Sequence, residues 1–341
     1  MPTPALAKAS NATFRPAYVP VAIFVGGTSG VGQGMLETFA RYVQGRAHII
    51  VVGRNEHAAA DIIARLPKPA DGEADGWTHE FIACDLSLMT NVREACAAIR
   101  AKVARVNFLV MTAGYSSFVN IAITSEGLDL HLALRYYWRY VFIHELLPLV
   151  KNAHDRGEDA KVMSVLGAGR GSPKRPLDLE NLGNQVKPRV GRFTVALRSI
   201  IMSSGYTDAM LAHFAARNPD IAFTHIHPGI VRTPTQRVDF DGLLTPLSWV
   251  INFILPFLGV SQDQCAEHML YALFTGQRGL FLVDRYGDPV SAHAFDAPVE
   301  LGNSEETSVL NGVPMTGYGA SDLGVGRVVE HTESATRATV A

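Results

Sequence analysis

Short, continuously apolar runs alternate along most of this chain with longer segments in which apolar residues recur every three or four positions. The first run, Val21–Val25, ends at glycines, which is typical of a strand buried on both faces of a parallel sheet. The segment Gly30–Val43 follows with apolar residues at helical spacing and predicts an amphipathic helix. This alternation of strand and helix then repeats.

The repetition predicts the order of the remaining elements. Further strands are expected at His48–Val52, Phe81–Cys84, Phe108–Met111, Lys161–Val165, Ile221–His227 and Leu280–Val283. Further helices are expected at Asn55–Leu66, Asn91–Val103, Leu128–Lys151 and Thr194–Arg217. Strands that alternate with helices form a parallel sheet with helices on both faces. The sequence therefore predicts a single α/β domain built on a doubly wound parallel sheet.

Both ends of the chain lack this pattern. Residues 1–20 contain no apolar segment of signal-peptide length and are expected to form a flexible N-terminal arm. Residues 21–300 hold the predicted domain, and no linker divides them. The polar segment 301–341 has no periodicity and is expected to be a disordered tail.

Composition narrows the classes of function. Hydrophobic residues make up 48% of the 341 residues and charged residues 18%, which favours a soluble, well-packed globule. The net charge of -2 gives no reason to expect a nucleic-acid partner. The three cysteines form no CxxC pair and favour a reducing, cytoplasmic location over a disulfide scaffold. No cluster has metal-ligand spacing, so no metal is expected.

A glycine-rich turn joins the first strand to the helix that follows. Gly26, Gly30 and Gly32 allow the backbone to approach a pyrophosphate closely, and the next helix offers free N–H groups there. The same turn contains Thr28, Ser29 and Val31. This arrangement predicts the phosphate cradle of a Rossmann-type dinucleotide site. The alternative is an ordinary glycine turn, because such a pattern by itself is weak evidence.

The turn resembles the glycine motif of the short-chain dehydrogenase/reductase family, and later segments resemble other motifs of that family in the same order. Asp85 and Leu86 resemble the step that holds the adenine. Ala113 and Gly114 are what remains of an Asn-Asn-Ala-Gly strand end. The segment 227–233 resembles the part that lines the nicotinamide, which implies cofactor contacts from Pro228, Gly229, Val231 and Thr233. The resemblance runs from about residue 21 to residue 233 and implies a nicotinamide dinucleotide.

The position of Arg54 indicates which of the two dinucleotides, NADP or NAD, is bound. It follows the second predicted strand, where an acidic residue would bind the ribose hydroxyls of NAD. An arginine suits the 2′-phosphate of NADP, so NADP is the expected cofactor and NAD the alternative. The competing interpretation is a solvated arginine in a loop.

The catalytic set of the family is incomplete in this chain. Tyr206 stands where the family has its catalytic tyrosine, but Met210 occupies the position of the lysine four residues later. Strand register places Gly167 at the family's serine, and Ser164 is expected to be structural. The run leading to the family's asparagine places Arg135 there. Tyr206 therefore matches the family, unless it is a core or interfacial tyrosine.

Arg135 is a candidate replacement for the missing lysine. A guanidinium near Tyr206 would favour the phenolate and could reach the nicotinamide ribose. Alternatively, Arg135 points into solvent or pairs with an acid on its own helix. His225 and His227 lie at the end of the sixth strand and are weaker candidates for a general acid or base.

The apolar segment 243–260 follows the segment that resembles the nicotinamide site, and in the family the region 241–260 forms a substrate lid. An apolar lid implies a hydrophobic small-molecule substrate. A contact between subunits of a homo-oligomer and an interfacial membrane helix are the alternatives. The resemblance, which extends to divergent fungal biosynthetic members, implies an NADP-dependent oxidoreductase of secondary metabolism that acts on a hydrophobic ketone or secondary alcohol. A non-redox isomerase, dehydratase or cyclase on the same fold, or a non-catalytic nucleotide-binding protein, remains the alternative.

Overall fold

The computed structural model describes residues 2–69, 76–115, 117, 122–168, 179–183, 192–233, 239, 245–288 and 322–337. The strands are β1 (Val21–Val25), β2 (His48–Gly53), β3 (Thr78–Ala83), β4 (Phe108–Met111), β5 (Lys161–Val165), β6 (Ala222–Ile226) and β7 (Gly279–Val283). The helices are α1 (Pro4–Asn11), α2 (Gly30–Tyr42), α3 (Glu56–Arg65), α4 (Met89–Lys102), α5 (Leu130–Leu132), a π-helical segment (Ala133–Tyr137), α6 (Trp138–His154), α7 (Arg192–Arg217), α8 (Thr245–Leu258), α9 (Gln262–Thr275) and α10 (Asp322–Arg337).

The strands form one parallel sheet in the order β3-β2-β1-β4-β5-β6-β7. The order reverses direction between β1 and β4, and the carboxyl ends of strands at such a switch point border the ligand crevice of open α/β sheets. The doubly wound parallel sheet predicted from the sequence is confirmed, as is the position of each predicted strand. The central strands β1, β2 and β4 are almost continuously apolar because helices cover both of their faces, whereas the edge strand β3 is partly exposed.

Two apolar layers hold the helices against the sheet. On one face, α4, α6 and α7 pack with Ile23, Leu109 and Phe223. On the other face, α2 and α9 pack with Phe24 and Val110. Neither α9 nor the helix α8 that precedes it was among the helices expected from the sequence.

The long helix predicted over Leu128–Lys151 is interrupted in the structure. A single turn, α5, leads into the π-helical segment Ala133–Tyr137, and the regular helix α6 begins only at Trp138. A π-helical turn inserts an extra residue, and such turns are frequent at functional sites. Arg135 lies within this segment.

The expected flexible arm at the N-terminus is wrong for its central part. Residues 4–11 form α1, and the Asn11 amide donates to the Glu267 backbone carbonyl at 2.8 Å. Phe14 stacks on Phe274 with ring centroids 4.0 Å apart. Contacts with α9 therefore fix this segment on the domain, and the sequence could not reveal them because Asn11 and Glu267 are distant along the chain.

The expected disordered tail is likewise wrong for residues 322–337, which form α10 and pack on α7. Three tyrosines of the interrupted helix bond to consecutive residues of α10. These bonds join Tyr136 to Thr332 at 2.7 Å, Tyr137 to His331 at 2.8 Å and Tyr140 to Glu333 at 3.1 Å. The remainder of 301–341 lies outside the described residues.

Candidate functional site

The glycine turn after β1 is packed so closely that no side chain fits at Gly26 or Gly32. Gly26 has a φ of +93°, and a Cβ there would lie 2.5 Å from the Ala113 backbone nitrogen. A Cβ at Gly32 would collide with Thr112 Oγ1 and the Gly26 carbonyl. These glycines therefore hold the turn against the end of β4, at the point where the strand order reverses.

The turn also leads into an open helix N-terminus. Gly30, with a φ of +60°, begins α2, and the Ser29 side chain makes no capping hydrogen bond there. The first N–H groups of a helix lack intrahelical acceptors and carry the positive end of the helix dipole. Val31, in the first turn of α2, is half-buried against the apolar layer below. These residues fit the pyrophosphate of a dinucleotide.

Arg54 lies immediately after β2, beside the glycine turn. A Cβ at the preceding Gly53 would lie 3.2 Å from the Thr28 side chain, so the ends of β1 and β2 are in contact. Arg54 is exposed, and its side chain makes no hydrogen bond or ion pair with the residues that the structure describes. Its guanidinium is thus available for an anion at this edge.

The candidate cofactor residues Asp85, Leu86 and Gly114 differ in their surroundings. Asp85 Oδ1 accepts a hydrogen bond from the Ser87 backbone N–H at 3.0 Å, which closes the turn after β3. Leu86 is buried in the apolar layer of α4 and α6. Gly114 is exposed, and a Cβ there would meet nothing within 4 Å, so it faces open space.

The segment after β6 is fixed by its own backbone. Gly229, with a φ of +71°, donates its N–H to His227 Nδ1 at 3.0 Å, which gives that histidine a structural contact. Val231 is buried. Backbone hydrogen bonds then join Arg232 to Val260 at 2.9 Å and Val260 to Ile230 at 3.0 Å.

Those two bonds tie the chain after α8 to the candidate cofactor segment. The Pro228 carbonyl accepts a hydrogen bond from Cys265 Sγ on α9. Thr233 is half-buried and is the last described residue of this segment. The C-terminal end of the apolar segment 243–260, at Val260, is therefore adjacent to the residues that resemble the nicotinamide site.

Arg135 points into the protein and not into solvent. Its Nε donates to Ser203 Oγ of α7 at 2.9 Å, and its Nη1 donates to the Tyr115 carbonyl at 3.0 Å. Only 9% of the residue is exposed. Arg135 therefore bridges the chain after β4 and the helix that carries Tyr206.

Tyr206 is completely buried in the apolar layer. Its ring packs edge-on against Tyr136, with centroids 5.2 Å apart. Met210, one turn later, is also completely buried, and α7 contains no lysine at all. Gly167, at the place of the family's serine, is buried as well. The Tyr206 hydroxyl is itself buried.

Sequence reasoning missed Arg139, which lies one helical turn after Arg135. It is completely buried and donates from Nε to Ser164 Oγ at 3.1 Å. Its remaining bonds reach the backbone carbonyls of Arg135, Ala113 and Val165. The four-residue spacing of the two arginines was the available signal, since it places both on one face of a helix.

A second buried polar pair was also missed. His225 Nδ1 lies 2.5 Å from Asp208 Oδ1 of α7, and both residues are almost completely inaccessible. His225 is the register neighbour of Ser164 across β5 and β6. The pair joins β6 to α7 in the buried interior of the domain.

The described residues contain no group of three or more His, Cys, Asp or Glu side chains that could hold a metal ion. No helix among them is long and apolar enough to cross a membrane. The three cysteines are free and buried, and burial raises the pKa of the Cys84 and Cys265 thiols to about 12.

Comparison with known proteins agrees with this geometry. A family model described as short chain dehydrogenase matches residues 20–133. An oxidoreductase of Emericella variicolor is 34% identical over 251 residues, which cover 74% of this chain and 68% of that protein. An oxidoreductase of Emericella nidulans is 32% identical over 311 residues, which cover 91% and 85% respectively.

Solved structures share the fold. The crystal structure of 3-ketoacyl-(acyl-carrier-protein) reductase from Brucella melitensis complexed with NADH aligns with a TM-score of 0.52 at 21% identity. The alignment covers 74% of this chain and 90% of that chain.

Proposed function

The chain belongs to the short-chain dehydrogenase family, and we propose that it is an NADP-dependent oxidoreductase acting on a hydrophobic ketone or secondary alcohol. The observation that carries this proposal is the glycine turn of β1, held against Ala113 and leading into the uncapped N-terminus of α2. The backbone N–H groups there would hold the pyrophosphate. The fungal relatives support a place for the reaction in secondary metabolism.

Arg54 supports NADP over NAD. Its exposed guanidinium has no competing partner within the described residues, and it lies beside the turn that would hold the pyrophosphate. A guanidinium can donate two parallel hydrogen bonds to a phosphate, whereas a ribose hydroxyl offers no charge to pair with.

The dinucleotide, when bound, would supply or accept the hydride, and the protein would supply orientation and a proton. We assign orientation to Arg135, whose side chain is already fixed between the Tyr115 carbonyl and Ser203 Oγ. We assign the proton to the Tyr206 hydroxyl. The positive charge of Arg135 would favour the phenolate in place of the family's lysine.

The surface of α8 supports a hydrophobic substrate. The helix has no charged residue, and its exposed apolar side chains include Trp249, Phe253 and Phe257, which are 71–76% exposed. Contiguous apolar surface of this kind is unusual on a soluble protein and marks a binding region. Because Val260 is bonded to the candidate nicotinamide segment, an apolar compound held by α8 would lie close to the reacting centre.

The cofactor assignment is tested by titrating the protein with NADPH and NADH and following nucleotide fluorescence. We expect NADPH to bind at least tenfold more tightly, and we expect Arg54→Ala to remove most of that difference. Arg65→Ala is the control, because it deletes another exposed arginine, one that lies at the far end of α3 and pairs with Glu37. Equal affinities of the parent protein for both dinucleotides would contradict the NADP assignment.

A second candidate is favoured by one observation. Met210 and Gly167 stand at the family's lysine and serine positions, and both are buried. A non-redox enzyme on this fold, or a protein that only binds the dinucleotide, would need neither of the missing residues. Single-turnover measurements with NADPH and a set of hydrophobic ketones decide the matter, because oxidation of the bound nucleotide occurs only in a redox enzyme.

A further inference from the structure

Arg139 is a cation enclosed in the interior of the domain. The side chain is completely buried, and its guanidinium lies over the Trp138 ring at 4.4 Å from the ring centroid. Four of its N–H groups are used in hydrogen bonds. Nε donates to Ser164 Oγ at 3.1 Å, and the terminal nitrogens donate to the carbonyls of Arg135 at 2.5 Å, Ala113 at 2.6 Å and Val165 at 3.2 Å.

All of these acceptors are uncharged. No carboxylate of the described residues bonds to Arg139, and the Asp208 carboxylate on the neighbouring helix α7 is bonded to His225 instead. Burial, together with the nearby positive charge of Arg135, holds the pKa of Arg139 well below its usual range. An arginine nonetheless stays protonated in proteins, so a positive charge persists inside the fold.

The position of this charge is specific. Ala113 lies two residues beyond the end of β4 and Val165 is the last residue of β5, so both carbonyls are on the carboxyl side of the sheet. Ala113 is also the residue against which Gly26 of the glycine turn is packed. Arg139 therefore lies directly behind the wall of the crevice at the switch point of the strand order.

We propose that Arg139 is a positioning residue that acts through the Ala113 and Val165 carbonyls, and that its buried charge makes the site favour the reduced over the oxidised dinucleotide. This inference rests on the proposed binding of a nicotinamide dinucleotide. The oxidised nicotinamide ring carries a positive charge and the reduced ring carries none. A fixed buried cation therefore disfavours the oxidised form selectively, and poor screening in the interior strengthens the effect.

The test compares the dissociation constants of NADP⁺ and NADPH for each variant. The neutral variants Arg139→Met and Arg139→Gln should lower the ratio of the NADP⁺ constant to the NADPH constant by about tenfold, because they remove a poorly screened charge that repels only the oxidised ring. Arg139→Lys retains the charge and should retain the ratio. Ser164→Ala is the matched control, because it removes one neutral acceptor of Arg139 and leaves the charge in place.

A purely structural role gives a different result. If Arg139 only clamps the strand ends, the neutral variants weaken both forms equally, the ratio stays constant, and the inference is overturned. The parent protein provides a test that does not depend on folding of the variants, because equal affinities for the two forms also overturn it. If the parent binds neither form, the proposed function fails together with this inference, whereas an unchanged ratio leaves the proposed function intact.

Discussion

Arg135 Nε lies 2.9 Å from Ser203 Oγ, so the π-helical segment is joined directly to α7, the helix that carries Tyr206. Arg135 lies within the π-helical segment Ala133–Tyr137, which packs against α7. Ser203 in turn donates its hydroxyl to the Ile200 carbonyl at 2.8 Å. The serine therefore holds the guanidinium in one orientation.

If Arg135 stands in for the missing lysine, its removal changes the pH dependence of turnover. Arg135→Ala should move the basic limb of the pH–rate profile to higher pH, because the Tyr206 phenolate loses a nearby positive charge. Arg135→Lys retains the charge and should leave the limb near its original position. Steady-state rates measured between pH 6 and pH 10 make the comparison, and an unshifted limb in Arg135→Ala would remove Arg135 from the mechanism.

A comparison of two tyrosine-to-phenylalanine variants tests whether Tyr206 is the proton donor. Tyr206→Phe keeps the buried ring and removes the hydroxyl, so turnover should fall by about 10²-fold, the usual scale for a general acid. Tyr136→Phe is the control, because this ring contacts Tyr206 while its hydroxyl bonds to Thr332. Similar small losses in both variants would show that Tyr206 is a core residue only.

The glycine turn offers a test of the cradle. Gly32→Ala should abolish dinucleotide binding, because its Cβ would collide with Thr112 Oγ1 and the Gly26 carbonyl. Gly30→Val should also abolish it, because a side chain at the helix N-terminus blocks the pyrophosphate and requires a strained φ of +60°. Gly326→Ala, at an exposed position of α10, is the control, since its Cβ would meet nothing within 4 Å. Calorimetric titration with the dinucleotide gives the result, and normal binding by Gly32→Ala and Gly30→Val would mean that the cradle lies elsewhere.

The C-terminal helix should contribute to stability. Thr332→Val removes the partner of the buried Tyr136 hydroxyl and should lower the free energy of unfolding by about 1–3 kcal/mol. Arg337→Ala removes only an exposed ion pair with Glu333 and should change it by less than about 1 kcal/mol. Urea denaturation measures both changes. Equal stability of Thr332→Val and the parent would mean that α10 does not dock in solution.

Stability should decrease in mild acid. Burial lowers the pKa of His79 below 6.5, although its hydrogen bond to the Gly45 carbonyl partly opposes this shift. The folded state then holds fewer protons than the unfolded state at pH values near and below 6.5, so stability falls as the pH decreases through that range. Thermal melting between pH 7.5 and pH 5.5 should show a steeper loss for the parent than for His79→Gln. His57→Gln, at an exposed position, should behave like the parent.

Much of the fold was predictable from local pattern. Each strand of the sheet was expected within a few residues of where it lies. The clearest local signal came from β1, β2 and β4, because a strand buried on both faces needs a continuous apolar run. The glycine turn was predictable for the same reason, since the conformation of Gly26 and Gly30 and the start of α2 depend on neighbouring residues. Arg54 was identified from its place after β2.

The environment of each charged or polar residue was decided only by the tertiary structure. Tyr136 and Thr332 are separated by 196 positions along the chain, and their bond turns a segment expected to be a tail into a docked helix. Arg139 and Ser164, or His225 and Asp208, carry no local sign that they meet. Periodicity specifies which face of an element is buried, whereas the partners on that face depend on how distant elements pack, and this packing places a guanidinium behind the crevice wall.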